Sequence, residues 1–169
     1  MARDNISKEI ESKFGNHLRI RVNGILINDH KILMIKHKMG NGRILWSVPG
    51  GGMDYGQSAP ENLKREFLEE TGLAVEVEKY LFVHEYLSPP LHGMEHFFEV
   101  RIKAGTLKLG TDPELDLDQQ IIAEVRWLTI TELQSFPKEA LHQIFWRINS
   151  FKDLVLLRGY FNFENNSLK

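Results

Sequence analysis

The sequence predicts an α/β (α+β) fold, a mixed β-sheet packed between helices, with residues 1–169 as a single domain. Three observations point to it. Several short segments alternate apolar and polar residues with period two. One central segment carries the 3.6-residue period of a helix between clear start and stop signals. Glycine and proline turns separate the two kinds of segment.

Residues 3–13 are polar with a few apolar positions and read as a short amphipathic helix. Leu18-Arg19-Ile20-Arg21-Val22 alternates and continues as a strand to Ile27. Asn28-Asp29-His30 is a turn, and Lys31 to Ile35 returns as the second arm of a hairpin. Lys38 to Gly42 reads as a loop before a short strand at 44–48. After the central helix, 74–87 is a strand region that Pro89-Pro90 breaks. In the strand from Met94 to Ile102, His96, Phe98, Val100 and Ile102 share one face. Residues 121–128 form a further strand. Thr131 is placed to cap a short helix at 132–135, and 137–149 reads as a longer helix with apolar Leu141, Ile144, Phe145 and Ile148. Loose order is expected at 1–15 and 160–169.

The central helix has the clearest signals. Ser58-Ala59-Pro60-Glu61 is a Ser-x-x-Glu capping box with proline in the first turn. Gly72 suits the left-handed residue that ends a helix. Ala59, Leu63 and Phe67 fall at i, i+4 and i+8 and form a buried stripe. Glu66, Glu69 and Glu70 lie together on a side that borders this stripe. Carboxylates at the edge of a core repel one another where solvent screens them incompletely. Arg65 relieves part of this as the i, i+4 partner of Glu69. A hard divalent cation with oxygen ligands would relieve the rest.

A Glu-rich helix face alone is ordinarily a solvated surface, but the flank changes the reading. Trp46-Ser47-Val48-Pro49-Gly50-Gly51-Gly52 puts three consecutive glycines just ahead of the helix, and glycine lets backbone approach a ligand closely. From Gly51 to Leu73 the segment resembles the Nudix box. Gly51 opens it, and Arg65-Glu66-Phe67-Leu68-Glu69-Glu70-Thr71-Gly72-Leu73 closes it without departure. Gln57 stands where the family carries its first glutamate.

The resemblance implies an α/β/α sandwich with a central mixed β-sheet, and hydrolysis of a diphosphate with Mg²⁺ or Mn²⁺ as cofactor. Carried to matching positions, it implies Gly50 (through its main-chain carbonyl), Glu66, Glu69 and Glu70 as metal ligands. It implies either Glu66 or Glu69 as a catalytic base, since family members differ in where the base lies. Arg65 and Gln57 are implied as structural support for the loop and helix. Family members often bring a further carboxylate from a later loop. Thr111 to Asp118 holds four acids and no base, so Glu114, Asp116 and Asp118 are candidates, with a solvated loop as the alternative.

Length and composition agree with one globular domain. The chain is 42% hydrophobic and 26% charged, and its net charge of −2 has no basic surplus, so no nucleic-acid partner is expected. With no cysteine there is no disulfide framework and no thiolate metal site. No apolar run reaches transmembrane length and MARDNISKEIESKF lacks an apolar signal core, so no membrane partner and a cytoplasmic location are expected. A homodimer is left open.

Substrate identity is faintly written. Trp46, Phe82, Tyr86, Phe97 and Phe98 are candidates to stack a base, with burial in the core as the alternative. Arg19, Arg21, Arg43 and Arg101 are candidates to bind phosphate or surface charges. His84, His92 and His96 lack the tight spacing of a zinc site. Three readings follow: hydrolysis of a nucleoside diphosphate linked to another moiety, such as a nucleotide sugar or an ADP-ribose-like compound; a nucleotide-binding or regulatory module that has lost turnover, for which Gln57 speaks; and hydrolysis of a non-nucleotide diphosphate.

Overall fold

The computed structural model describes residues 5–111 and 120–162. In chain order the elements are α1 (Asn5–Phe14), β1 (Leu18–Asn28), β2 (Lys31–Gly40), β3 (Arg43–Ser47), β4 (Gly50–Gly52), α2 (Ala59–Thr71), β5 (Leu73–Ser88), β6 (Leu91–Gly105), β7 (Ile122–Thr129), α3 (Ile130–Gln134), α4 (Phe151–Leu156) and β8 (Gly159–Phe161). The sheet runs β3-β2-β1-β6-β5-β8, with β4 paired to β1 and β7 paired to β2. It is mixed, as expected: β1 runs parallel to β6 and β5 parallel to β8, while the other pairs are antiparallel.

Apolar side chains leave both faces of the sheet. On one, Leu63 and Phe67 of α2 pack with Val22, Leu26, Leu33, Val75 and Val100. On the other, Ile25, Met34, Phe82 and Phe97 pack beneath Leu133, Phe145, Phe151 and Leu154. Burying one such side chain contributes roughly 1.5–3 kcal/mol, against about 0–1 kcal/mol for an exposed ion pair. The stripe, and not the charged flank, therefore seats α2 on the sheet.

Several sequence expectations are corrected. The loop expected from Lys38 to Gly42 is mostly strand: β2 runs to Gly40, and the reversal is compressed into Asn41-Gly42, both at positive φ. The three glycines are more than a turn, since β4 pairs with β1 through Arg21↔Gly52 and Asn23↔Gly50. Thr129, not Thr131, caps α3; its side chain accepts from the Glu132 N–H, and the Glu132 carboxylate accepts from the Thr129 N–H.

The long helix expected over 137–149 is replaced by two 3₁₀ turns, Lys138–Ala140 and Gln143–Phe145. Leu141 between them is extended and bridges to Trp46, whose carbonyl accepts from the His142 N–H. That tertiary bond competes with helix continuation at the centre of the segment. Leu141, Ile144 and Phe145 are buried all the same. The mixed tail contains α4, capped by Ser150 and Asp153, and β8, which brings Tyr160 and Phe161 onto β5.

Candidate active site

Local signals place α2. The Ser58 side chain accepts from the Glu61 N–H and the Glu61 carboxylate accepts from the Ser58 N–H. Gly72 ends the helix at φ 71°, where a side chain would be strained. With both ends set, the three glutamates lie as the period requires. Glu66 and Glu70 are 6% and 4% exposed, so their carboxylates are held out of bulk water. Glu69 is more open, its side chain 29% exposed.

Arg65 ties the flank together. Its guanidinium lies 2.9 Å from Glu69 Oε2, 2.9 Å from Glu66 Oε1 and 3.0 Å from Asp54 Oδ2, and it donates to the Asn62 side-chain oxygen. Asn62 in turn accepts from the Asp54 N–H at 2.8 Å. The support expected of Gln57 is thus supplied by Asp54. Gln57 is exposed, and its side chain makes no hydrogen bond to Arg65 among the described residues. The sequence reading missed Asp54, although its place inside the box, near a lone arginine, was the available signal.

The glycine strand closes on the helix from the other side. The Gly50 N–H donates to Glu70 Oε2 at 2.9 Å. A Cβ on Gly51 would stand 2.3 Å from the Glu66 carboxyl carbon, so only bare backbone admits that carboxylate. Two desolvated carboxylates pressed against a glycine backbone form an all-oxygen donor set, and this fits a hard divalent cation. The Gly50 carbonyl accepts from Arg21 Nη2 at 3.3 Å.

Glu66, Glu70 and Gly50 to Gly52 line one part of a cavity of about 360 Å³. Glu69 is not among its lining residues. Arg19, Arg21 and His37 lie on its wall, with Phe14, Tyr86 and Trp146. The expected aromatic set divides accordingly. Trp46, Phe82, Phe97 and Phe98 are core, with Trp46 stacked on Phe136 and Phe82 on Phe97, while Tyr86 reaches the cavity. The arginines divide too. Arg19 and Arg21 face the cavity, Arg43 lies outside its wall, and Arg101 is exposed and paired with Glu78.

Burial, together with the positive charges of Arg21 and His142, lowers the His37 pKa to about 3, so its ring is neutral at ordinary pH. Beside it sits a second cluster that sequence spacing could not reveal. Glu95 Oε2 lies 2.9 Å from His84 Nδ1 and 2.8 Å from His142 Nε2, and His84 Nε2 hydrogen-bonds the Gln143 side-chain amide at 2.9 Å. The ligand atoms of His84, Glu95 and His142 are close enough to hold a cation. The His142 Nδ1 in turn lies 3.4 Å from the Ile144 N–H.

Glu114, Asp116 and Asp118 lie outside the described residues. The flanks of that segment do not. The Gly110 and Thr111 N–H groups donate to the Glu70 and Glu69 carbonyls at the end of α2, and Ile121 lines the cavity.

The fold carries a carboxylate-lined cavity, and comparison with known proteins gives the family. The NUDIX domain model matches residues 17–147. The chain is 35% identical over 98 residues to an ADP-ribose pyrophosphatase of Methanocaldococcus jannaschii, covering 57% of this chain and 58% of that protein. It is 29% identical over 59 residues to the phosphatase NudJ of Escherichia coli, covering 35% of this chain and 38% of that protein. The matched stretches thus span about half or less of these relatives' lengths. Among solved structures, a UDP-X diphosphatase superposes with TM-score 0.62 at 18% identity, over 92% of this chain and 73% of the other. A NUDIX hydrolase from Nitrosomonas europaea superposes with TM-score 0.58 at 21% identity, over 70% and 77%. The chain belongs to the Nudix family, and its mixed sheet between helices is the fold of those structures. Among the described residues no helix is long and apolar enough to cross a membrane.

Proposed function

We propose that this chain is a divalent-metal-dependent hydrolase that cleaves the diphosphate of a nucleoside diphosphate joined to another moiety. The observation that carries the reading is the pair Glu66 and Glu70, buried against a glycine strand whose Gly51 has no room for a Cβ, at the wall of a cavity that also presents arginines. Glu66, Glu70 and the Gly50 carbonyl would hold Mg²⁺ or Mn²⁺, with Glu69 on the outer side. A bound cation of this kind neutralises diphosphate charge and lowers the pKa of a water.

The chain's own residues do the rest. The Gly50 N–H fixes one Glu70 oxygen. Arg65 fixes Glu66 and Glu69. Such preorganisation matters because displacement at phosphorus is mainly positioning and electrostatics. Phe14, Tyr86 and Trp146 on the cavity wall supply aromatic surface for a base, and the archaeal relative's name supports an ADP-ribose-like substrate. The intact glutamate set speaks against the binding-module reading.

The test is a product screen, with released phosphomonoester converted to free phosphate by a phosphatase. It covers nucleotide sugars, ADP-ribose, dinucleotides and nucleoside triphosphates with Mg²⁺ or Mn²⁺. Cleavage of a nucleotide sugar or ADP-ribose is expected. Inactivity on the whole panel would refute the reading.

A further inference from the structure

We propose that Arg21 and Asn23 form the phosphate grip of this cavity, and that Glu95, braced by His84 and His142, positions Arg21 for it. This rests on the diphosphate-hydrolase reading and assigns it residues outside the box.

Register puts the parts in one row. Arg21 on β1 pairs with Gly52 on β4 at one side and with Glu95 on β6 at the other, and Glu95 pairs with His84 on β5. Directly paired residues point to the same face, so the Arg21, Glu95 and His84 side chains are neighbours across three strands, with the bare Gly52 backbone beside Arg21 on a fourth. Asn23 is two residues from Arg21 and shares that face.

The Arg21–Glu95 contact is a loose one. Nε stands 3.7 Å from Glu95 Oε1, beyond hydrogen-bond distance, whereas Arg65 meets its carboxylates at 2.9–3.0 Å. Glu95 does not need Arg21 for satisfaction, because its other oxygen already accepts from two imidazoles. Burial alone would raise the Glu95 carboxyl. The His142 charge, the bonds from His142 and His84, and Arg21 outweigh burial and hold it well below the usual carboxylate range. A fixed anion thus stands beside Arg21 and orients it without using up its donors.

Of the five N–H groups of Arg21, only the one directed at Gly50 has a hydrogen-bond partner among the described residues. The side chain is 26% exposed on the cavity wall. A planar fork with unpaired donors, facing a cavity lined by carboxylates, matches a phosphoryl group. Asn23 adds an independent sign. It is 5% exposed, lines the same cavity, and its Nδ2 has no hydrogen-bond partner among the described residues. A buried donor left unpaired costs stability unless a ligand accepts from it.

The test is calorimetric titration with methylenediphosphonate, a diphosphate that cannot be cleaved, in Mg²⁺, together with steady-state turnover. Arg21→Gln is expected to weaken binding about tenfold to a hundredfold and to raise KM, the scale of a lost charge-assisted contact. Arg21→Lys should recover part of the affinity. Glu95→Gln keeps an acceptor for the imidazoles and should weaken binding several-fold, with kcat near wild type. Asn23→Ala should weaken it less. Arg101→Gln, outside the cavity, is the control.

Analogue binding by Arg21→Gln equal to that of Arg101→Gln overturns the grip, even if turnover proves the hydrolase. Arg21-dependent analogue binding in a wild type that cleaves nothing supports the grip and refutes the hydrolase. Should Arg21→Gln fail to fold, Arg21→Lys decides: a several-fold loss supports the grip, and wild-type affinity overturns it.

Discussion

Arg65 reaches back across the box to Asp54, its guanidinium 3.0 Å from the Asp54 carboxylate, while the same group holds Glu66 and Glu69. The loop before α2 is therefore braced through Asp54. Replacing Asp54 by Ala should cost no more than about 1 kcal/mol of stability, since the pair is partly exposed. Turnover should fall by a larger factor, because Arg65 then orients the glutamates less firmly. Thermal melting and kcat on one accepted substrate measure the two effects, and a loss of stability with turnover intact would contradict the bracing role.

Gln57 bears on the same support. It is exposed, and among the described residues its side chain makes no hydrogen bond to Arg65. Gln57→Glu should leave the fold intact and change the metal titration of activity only modestly. Gain of activity by the Glu version from an inactive wild type would favour the binding-module reading instead.

Glu70 accepts from the Gly50 N–H and lines the cavity. Glu70→Gln keeps an acceptor and removes the charge. Turnover should drop roughly a hundredfold or more, with weaker metal affinity. Folding should survive, because one of the mutually repelling carboxylates is gone. Full activity in this variant would remove Glu70 from the site.

Gly51→Ala tests the close approach. The added Cβ would meet the Glu66 carboxylate at 2.3–2.5 Å, so carboxylate or strand must shift. The expected cost is about 1–3 kcal/mol, as for overpacking a filled interior, together with loss of metal-dependent turnover. Unfolding in denaturant gives the first number and a metal titration of activity the second.

Glu114, Asp116 and Asp118 form the acidic segment whose flanks are tied to the end of α2 and to the cavity wall. Converting each to its amide in turn should lower turnover strongly at one position and little at the others. Three near-silent variants would support a solvated loop and return the base to Glu66 or Glu69.

His37 makes a pH prediction. Its pKa is lowered to about 3 in the folded chain, against 6.5 when unperturbed. Between these values the unfolded chain binds the extra proton, so stability rises with pH across that window and falls on acidification. His37→Gln removes this group's titration. Between pH 7 and 5 its unfolding free energy should change less than that of the wild type. Equal slopes in the two proteins would contradict the shift.

The box, its capping serine, its terminal Gly72 and the stripe Leu63–Phe67 were legible in the sequence, because each is a local pattern that a helix needs whatever surrounds it. The glutamate flank followed from the same period, and with it the candidate metal ligands. The helix expected over 137–149 was lost to tertiary competition, since Trp46 takes the His142 N–H and extends the chain there. Strand register was also out of reach. Period-two alternation says which residues share a face but not which strand lies alongside. The row from Gly52 through Arg21 and Glu95 to His84 exists only once β1 lies parallel to β6. His84 meets Gln143 from 59 residues away. The sequence by itself determined the helix that carries the acids; only the sheet's pairing decided which cations and which buried donor face them.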